Sequence, residues 1–270
     1  MFDLTGKVAI VTGSGKGVGK GIARCLVEAG AKVCLNYAFN SVTAKETLRE
    51  ILDFGGPDCA ILVKADVSDL MQAQNMVAET INKWGKIDIL VNNAALQRNK
   101  NFDEYTEEEF DLVFDVNIGG YLNMMQACIS ELKKTKGSII LISSIHSEYP
   151  GNFDPVYSMS KAGIQMLLRE ATVEFAQYGI RVNMIQPADV KIEFKSLIDN
   201  MPITKNQNNG TNFSYFKNIF SKKEKSHSIY PLGREGLPVD SGYLCVFLAS
   251  KEAAHLTGAV IRLDGGITLI

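Results

Sequence analysis

Tyr157 and Lys161 are the residues whose types and spacing most directly suggest chemistry. They stand four apart in Tyr157-Ser158-Met159-Ser160-Lys161, inside a stretch with a helical apolar period. Residues four apart in a helix share one face, a single turn from each other. An ammonium beside a phenol favours the phenolate and draws a group that ordinarily ionises near about pH 10 toward working pH. Such a pair can give a proton to a substrate oxygen or take one from it. Alone the pair means little, because tyrosine and lysine are frequent surface neighbours on helices. Its company gives it meaning. Ser144 lies thirteen residues earlier, just past an apolar run that reads as a strand. A hydroxyl there can hydrogen-bond a substrate oxygen and stabilise charge that develops on it. Ser143 competes for that role, and spacing to Tyr157 favours Ser144. Asn117 falls inside a helical pattern next to Gly119-Gly120. Asparagine is mildly unfavourable in a helix interior, so its presence there calls for a reason.

A second cluster reads as a phosphate cradle. Thr12-Gly13-Ser14-Gly15-Lys16-Gly17-Val18-Gly19 follows the first apolar run and opens the first helical one. Glycines there permit a tight turn and close approach of backbone N–H groups to a pyrophosphate, and the helix N-terminus adds partial positive charge. The spacing is TGxxxGxG, which differs from the GxGxxG of other dinucleotide sites.

The elements that must position these residues follow from periodicity. Strands are expected at Lys7–Thr12, Lys32–Asn36, Ala60–Lys64, Ile87–Val91, Ser138–Ile142, Arg181–Ile185 and Ala259–Leu263. Helices are expected at Gly17–Ala29, Ser41–Phe54, Asp69–Lys83, Thr106–Lys133, Pro155–Tyr178 and Pro238–Leu248. Strands apolar throughout, alternating with helices, imply a parallel sheet covered on both faces. Right-handed crossovers then give an α/β, Rossmann-like, doubly wound sheet of about seven strands. No linker divides the chain, so residues 1–270 are expected to form one domain. The irregular stretch at about 191–230 is expected to act as a substrate lid.

Composition excludes several classes. A net charge of −2 supplies no electrostatic case for nucleic acid or an anionic membrane surface. No apolar run is long enough to span a bilayer, and Met1–Val11 does not read as a signal peptide. Cys25, Cys34, Cys59, Cys128 and Cys245 form no CxxC, and reduced thiols in a cytoplasmic protein are expected. His146, His227 and His255 lie at no metal-ligand spacing, so no metal is expected.

Together these residues resemble the short-chain dehydrogenase/reductase family over nearly the whole chain. The resemblance rests on Thr12–Gly19, Asp66-Val67, Asn92-Asn93-Ala94-Ala95, Asn117, Ser144, Tyr157, Lys161, Arg181-Val182-Asn183, Pro187 and Asp264-Gly265-Gly266. It implies that Tyr157 exchanges a proton with the substrate oxygen. Lys161 would lower the tyrosine's pKa and hold the nicotinamide ribose. Ser144 would orient the carbonyl, and Asn117 would hold a relay water. Gly13, Ser14, Lys16, Gly17, Val18 and Gly19 would cradle the dinucleotide. Asp66 and Val67 would meet adenine, and Asn93 would line the cleft. A homotetramer with the two long helices between subunits is also implied. Three departures stand out. Ala95 replaces the usual glycine, Ala188 follows Pro187, and Ile192 stands where a threonine is common. Val190 is then expected to contact the nicotinamide. The stretch from Pro187 to Pro231 also looks longer than in many relatives.

The second strand ends in Asn36-Tyr37-Ala38, without the carboxylate that holds an NAD ribose, while Lys16 can pair with a 2′-phosphate. NADP(H) is therefore expected, with NAD(H) as the alternative. The lid aromatics, among them Phe213, Tyr215, Phe216, Phe220 and Tyr230, suit a bulky apolar alcohol or ketone. Within the family that points to a hydroxysteroid or bile acid. Resemblance to bacterial glucose 1-dehydrogenases at Ser144-Ile145-His146 and from Ala249 to Gly266 makes a sugar the alternative. A 3-oxoacyl-carrier-protein reductase and a non-catalytic dinucleotide-binding regulator are the other readings.

Overall fold

In the computed structural model, residues 2–150, 154–191 and 229–270 are described. Four largely buried strands come first in the chain, each followed by a helix or helical stretch: β1 (Val8–Val11), β2 (Lys32–Tyr37), β3 (Ala60–Lys64, ending in the exposed Lys64) and β4 (Ile89–Asn92). Three more follow: β5 (Ser138–Ile142), β6 (Arg181–Pro187) and β7 (Val260–Leu263). They form one seven-stranded sheet, ordered β3-β2-β1-β4-β5-β6-β7, and every pairing is parallel. The order reverses between β1 and β4. That switch point opens a crevice at the carboxyl ends of the strands.

Helices α1 (Gly17–Glu28), α2 (Ser41–Gly55), α3 (Leu70–Trp84), α4 (Glu107–Phe114), α5 (Gly120–Thr135), α6 (Pro155–Ala176) and α7 (Pro238–Ala249) cover the sheet. The side chains alternate across it, so each strand feeds two cores. Ala9, Val11, Val33 and Ile140 face one, with Ile22 and Leu26 of α1 and Val246 of α7. Ile10, Leu90, Ile139 and Val182 face the other, with Met76 of α3, Met124 of α5 and Ile164 of α6. Helices α1 and α7 pack so closely that a Cβ on Gly21 would sit 2.4 Å from Pro238.

The structure changes one expected element. The helix expected at Thr106–Lys133 is two helices joined by a π turn at Asp115–Gly119, which carries Asn117. Periodicity sees one amphipathic run because the extra residue of a π turn barely disturbs the apolar face.

Of the expected lid, residues 192–228 lie outside the described part, and so does Ile192. Its two flanks are tied together. Val190 bridges Gly236, the N–H of Lys191 donates to the Gly236 carbonyl, and the Tyr230 hydroxyl donates to Asp189 at 2.6 Å. Tyr230 is buried, with its ring beside Gly265. It therefore packs the base of this stretch. All five cysteines are unpaired. Four are buried, and burial pushes their thiols up, that of Cys34 to about 12, which makes them inert.

Candidate active site

The cradle is built by backbone shape and locked by neutral hydrogen bonds. Gly13 adopts φ +62°, and a Cβ there would lie 2.9 Å from the Ala94 Cα. On Gly19 a Cβ would meet the Asn93 side chain at 2.5 Å and the Gly13 carbonyl at 2.7 Å. The Thr12 hydroxyl accepts from the N–H groups of Asn93 and Ala94 at 2.8 and 3.0 Å. The Asn93 amide donates back to the Thr12 carbonyl at 2.8 Å. Asn93 thus clamps the cradle to the end of β4. Ser14 is fully buried, and its hydroxyl donates to the Val11 carbonyl while accepting from the Asn36 N–H. It braces the loop from behind.

The residues present fit a pyrophosphate. Helix α1 starts with no side-chain cap and no acidic residue in its first turn. Its leading N–H groups, at Gly17, Val18 and Gly19, and the positive end of its dipole therefore face the crevice without an internal anion. Lys16 is exposed and makes no ion pair among the described residues. Asp66 and Val67, expected to meet adenine, follow β3. The Asp66 carboxylate accepts from the N–H and hydroxyl of Ser68, and Val67 is buried with its carbonyl held by Asn123.

The second half of the site forms where β5 ends and α6 begins. The Ser144 hydroxyl lies close enough to Tyr157 to favour its phenolate, and it accepts from the His146 N–H at 3.2 Å. Ser143 points the other way, donating to the Lys161 carbonyl at 3.0 Å. Lys161 is almost fully buried, and its ammonium donates to the Ile142 carbonyl at 2.9 Å. The Tyr121 hydroxyl donates to the same carbonyl. Lys161 Nζ lies 5.6 Å from the centre of the Tyr157 ring. Asn117 is fully buried, and its amide brackets Leu96 through both the N–H and the carbonyl and also donates to the Ser160 hydroxyl. Val190 sits past β6 on the paired base described above. Cradle and tyrosine thus share the carboxyl edge of one sheet. A family model described as short chain dehydrogenase matches residues 7–201.

The chain belongs to the short-chain dehydrogenase family.

It is 37% identical over its full length to the oxidoreductase UcpA of Salmonella typhimurium, of which it covers 97%. It is 34% identical over 99% of its length to 3beta-hydroxysteroid dehydrogenase 1 of Eggerthella lenta, covering 95% of that protein. To glucose 1-dehydrogenase 2 of Bacillus subtilis it is 33% identical over 99% of its length, covering 96%. Among solved structures, a short-chain type dehydrogenase/reductase from Mycobacterium marinum superposes with a TM-score of 0.81 at 28% identity, covering 100% of this chain and 98% of that one. The chain is therefore an oxidoreductase of the short-chain type that acts on CH–OH groups and binds a nicotinamide nucleotide.

The electrostatics of this short-chain dehydrogenase differ from the expectation in one respect. Burial pushes Tyr157 up to about 12, against the pull of the nearby Ser144 hydroxyl, and the charge of Asp154 adds to the rise. Burial also pushes Lys161 down to about 7. Desolvation disfavours the charged form of each group. The Lys161 ammonium is turned toward the Ile142 carbonyl, and burial dominates the ionisation of the phenol.

Several residues of the site escaped the sequence reading. Thr47 donates to the Gly15 carbonyl, and Asn36 binds the Gly13 N–H while its amide donates to the Ala65 carbonyl. Asn36 drew notice only for lacking a carboxylate. Asp154, three residues before Tyr157, went unremarked, although aspartate before proline and an apolar helical run is a recognisable cap signal.

Proposed function

We propose that this dehydrogenase interconverts a secondary alcohol and a ketone with NADP(H), using Tyr157 as the proton donor and acceptor. One observation carries the reading: Ser144, Tyr157 and buried Lys161 converge at the end of β5, on the same sheet edge as the cradle. A nicotinamide bound there supplies or accepts the hydride. Ser144 holds the substrate oxygen beside the Tyr157 phenol. As a phenol, Tyr157 can donate its proton to a ketone oxygen that gains negative charge. In the reverse direction it must first lose that proton, and Lys161 is the cation that can make this easier. Asn117 keeps α6 in place through Ser160.

NADP(H) is favoured over NAD(H) because Lys16 is open beside the cradle and the end of β2 carries no carboxylate. Replacing Lys16 with Ala should weaken NADP(H) binding about tenfold relative to NAD(H). Equal loss for both nucleotides would remove this account.

For the substrate, a hydroxysteroid-like alcohol is the first reading, supported by full-length similarity to the Eggerthella lenta enzyme. Similarity to glucose 1-dehydrogenase 2 supports a sugar as the second. Absorbance of the reduced nicotinamide across hydroxysteroids, bile acids, aldoses and 3-hydroxyacyl thioesters separates them. Turnover of aldoses alone would discard the steroid reading. We also place the chain in a reducing cytoplasm, in keeping with its unpaired cysteines. We expect a homotetramer, in keeping with exposed Met159, Met166 and Val173 on α6. Light scattering would test this.

A further inference from the structure

A buried carboxylate beside the acid/base tyrosine calls for an explanation. Asp154 is 2% exposed, yet its charge raises the Tyr157 pKa and so opposes the phenolate. Its contribution must therefore come from geometry. One carboxylate oxygen accepts from the Tyr157 N–H at 2.9 Å and from the Tyr105 hydroxyl. The other accepts from the N–H groups of Arg98 and Asn99 at 2.8 and 2.9 Å. Burial alone would raise this carboxyl, but the hydrogen bonds from Tyr105, Tyr157, Asn99 and Arg98 outweigh it, and the group is held below the usual carboxylate range. It stays ionised, with every donor aimed at it paired.

The opposite side of Tyr157 is fixed as well. Its carbonyl accepts from the Ser160 hydroxyl at 2.7 Å, and Ser160 accepts in turn from Asn117, which brackets Leu96. The main chain of Tyr157 is thus held at its N–H and at its C=O. Both ties lead to the same segment, residues 96–99, which runs on from Asn93–Ala95 past the carboxyl end of β4.

We propose that Asp154 is a positioning residue that locks Tyr157 and the 96–99 segment into one unit, so that the tyrosine and the wall of the substrate mouth are set together. The proposal rests on the reading of Tyr157 as the acid/base. Two functions follow for one carboxylate. Capping the Tyr157 N–H sets the reach of the phenol, which governs kcat. Tying Arg98 and Asn99 sets the mouth, which governs the substrate KM.

The test compares Asp154→Ser, Asp154→Ala and Tyr105→Phe in the full-length chain. The probe is the alcohol of the panel above with the highest kcat/KM in the parent protein. Serine can still cap Tyr157 but cannot reach the two loop amides. For Asp154→Ser, the substrate KM should rise about tenfold with kcat within a few-fold of the parent. Amide exchange should accelerate at Arg98 and Asn99 and stay slow at Tyr157. For Asp154→Ala, kcat should fall by on the order of 100-fold, the scale of an ångström-level misplacement. NADPH affinity, read from its fluorescence, should stay within about threefold in every variant, because the cradle is untouched. Tyr105→Phe removes the donor that shares an oxygen with the Tyr157 N–H, so it should lower kcat a few-fold and leave KM near the parent's. It folds whatever becomes of Asp154→Ala. Parent-like kcat and KM in Asp154→Ser and Tyr105→Phe, with only a lower melting temperature, would reduce Asp154 to a structural cap and overturn the proposal. Turnover surviving in Tyr157→Phe would remove the underlying reading instead.

Discussion

The two halves of the site are held by different physics. Around the cradle, the locking groups are neutral: Thr12, Ser14, Asn36, Thr47 and Asn93 bond to one another's backbone, and the glycines let the chain pass where no Cβ fits. Around Tyr157 buried charges stand beside neutral ties: Asp154 at its N–H, Lys161 beside its ring, and the neutral Ser160 and Asn117 at its carbonyl. A neutral lock fixes a shape that pH does not change, which suits a site whose ligand brings its own charge. A charged lock costs desolvation and shifts ionisation, which suits a site that must move a proton. On the proposed function, the cradle serves binding and the β5–α6 side serves chemistry. Substitutions on the two sides should fail in different ways.

The sharpest separation is Tyr157→Phe. Loss of the hydroxyl should cut kcat by on the order of 1,000-fold or more, the contribution of a positioned acid/base. NADPH affinity should stay within a few-fold, since no cradle group touches that ring. A large loss of cofactor binding with kcat preserved at saturation would erase the division. The mirror experiment is Gly19→Ala. A Cβ there meets the Gly13 carbonyl at 2.7 Å and the Ser14 Cα at 2.9 Å, both backbone atoms that can yield only if the cradle shifts. Overpacking of this kind costs about 1–3 kcal/mol, so NADPH should bind roughly ten- to a hundredfold more weakly. With cofactor saturating, kcat should recover to within a few-fold, and titration of NADPH fluorescence alongside turnover reads both. A kcat defect that persists at saturation would show that the halves are not separable.

The same division governs what could be read without coordinates. The parallel order of strands and helices follows from apolar runs alternating with amphipathic ones. Gly13, Gly17 and Gly19 announce the cradle because a missing side chain is visible in sequence. Tyr157 and Lys161 are visible because four residues make one helical turn. Thr47 and Asp154 were not, because their importance lies in partners 32 and 55–56 residues away. Spacing along a chain carries no trace of such contacts. Asn117 was noticed for being out of place in a helix, but the π turn that places it has no periodic signature. The pKa of Tyr157 went the other way from expectation because spacing shows that an ammonium is near and cannot show how deeply both groups are buried.

The smallest effect expected is also the one that tests the cost of the charged lock most directly. Lys161 ionises at about 7 in the folded chain against 10.5 ordinarily, because burial disfavours its ammonium. Between those values the unfolded chain binds more protons than the folded one, so stability rises with pH across that window. Below it, the full cost of charging a buried lysine weighs on the fold. Lys161→Met keeps much of the volume and removes the charge. Turnover should vanish, while thermal stability at pH 6 should rise by on the order of 2 kcal/mol, and the gain should shrink as pH climbs from 7 toward 10. Melting temperatures of the two proteins across that range decide it. A variant less stable at pH 6, or a difference that does not change with pH, would mean that the bonds from Lys161 to Ile142 and Tyr121 outweigh its desolvation. The catalytic side would then be as free of strain as the cradle.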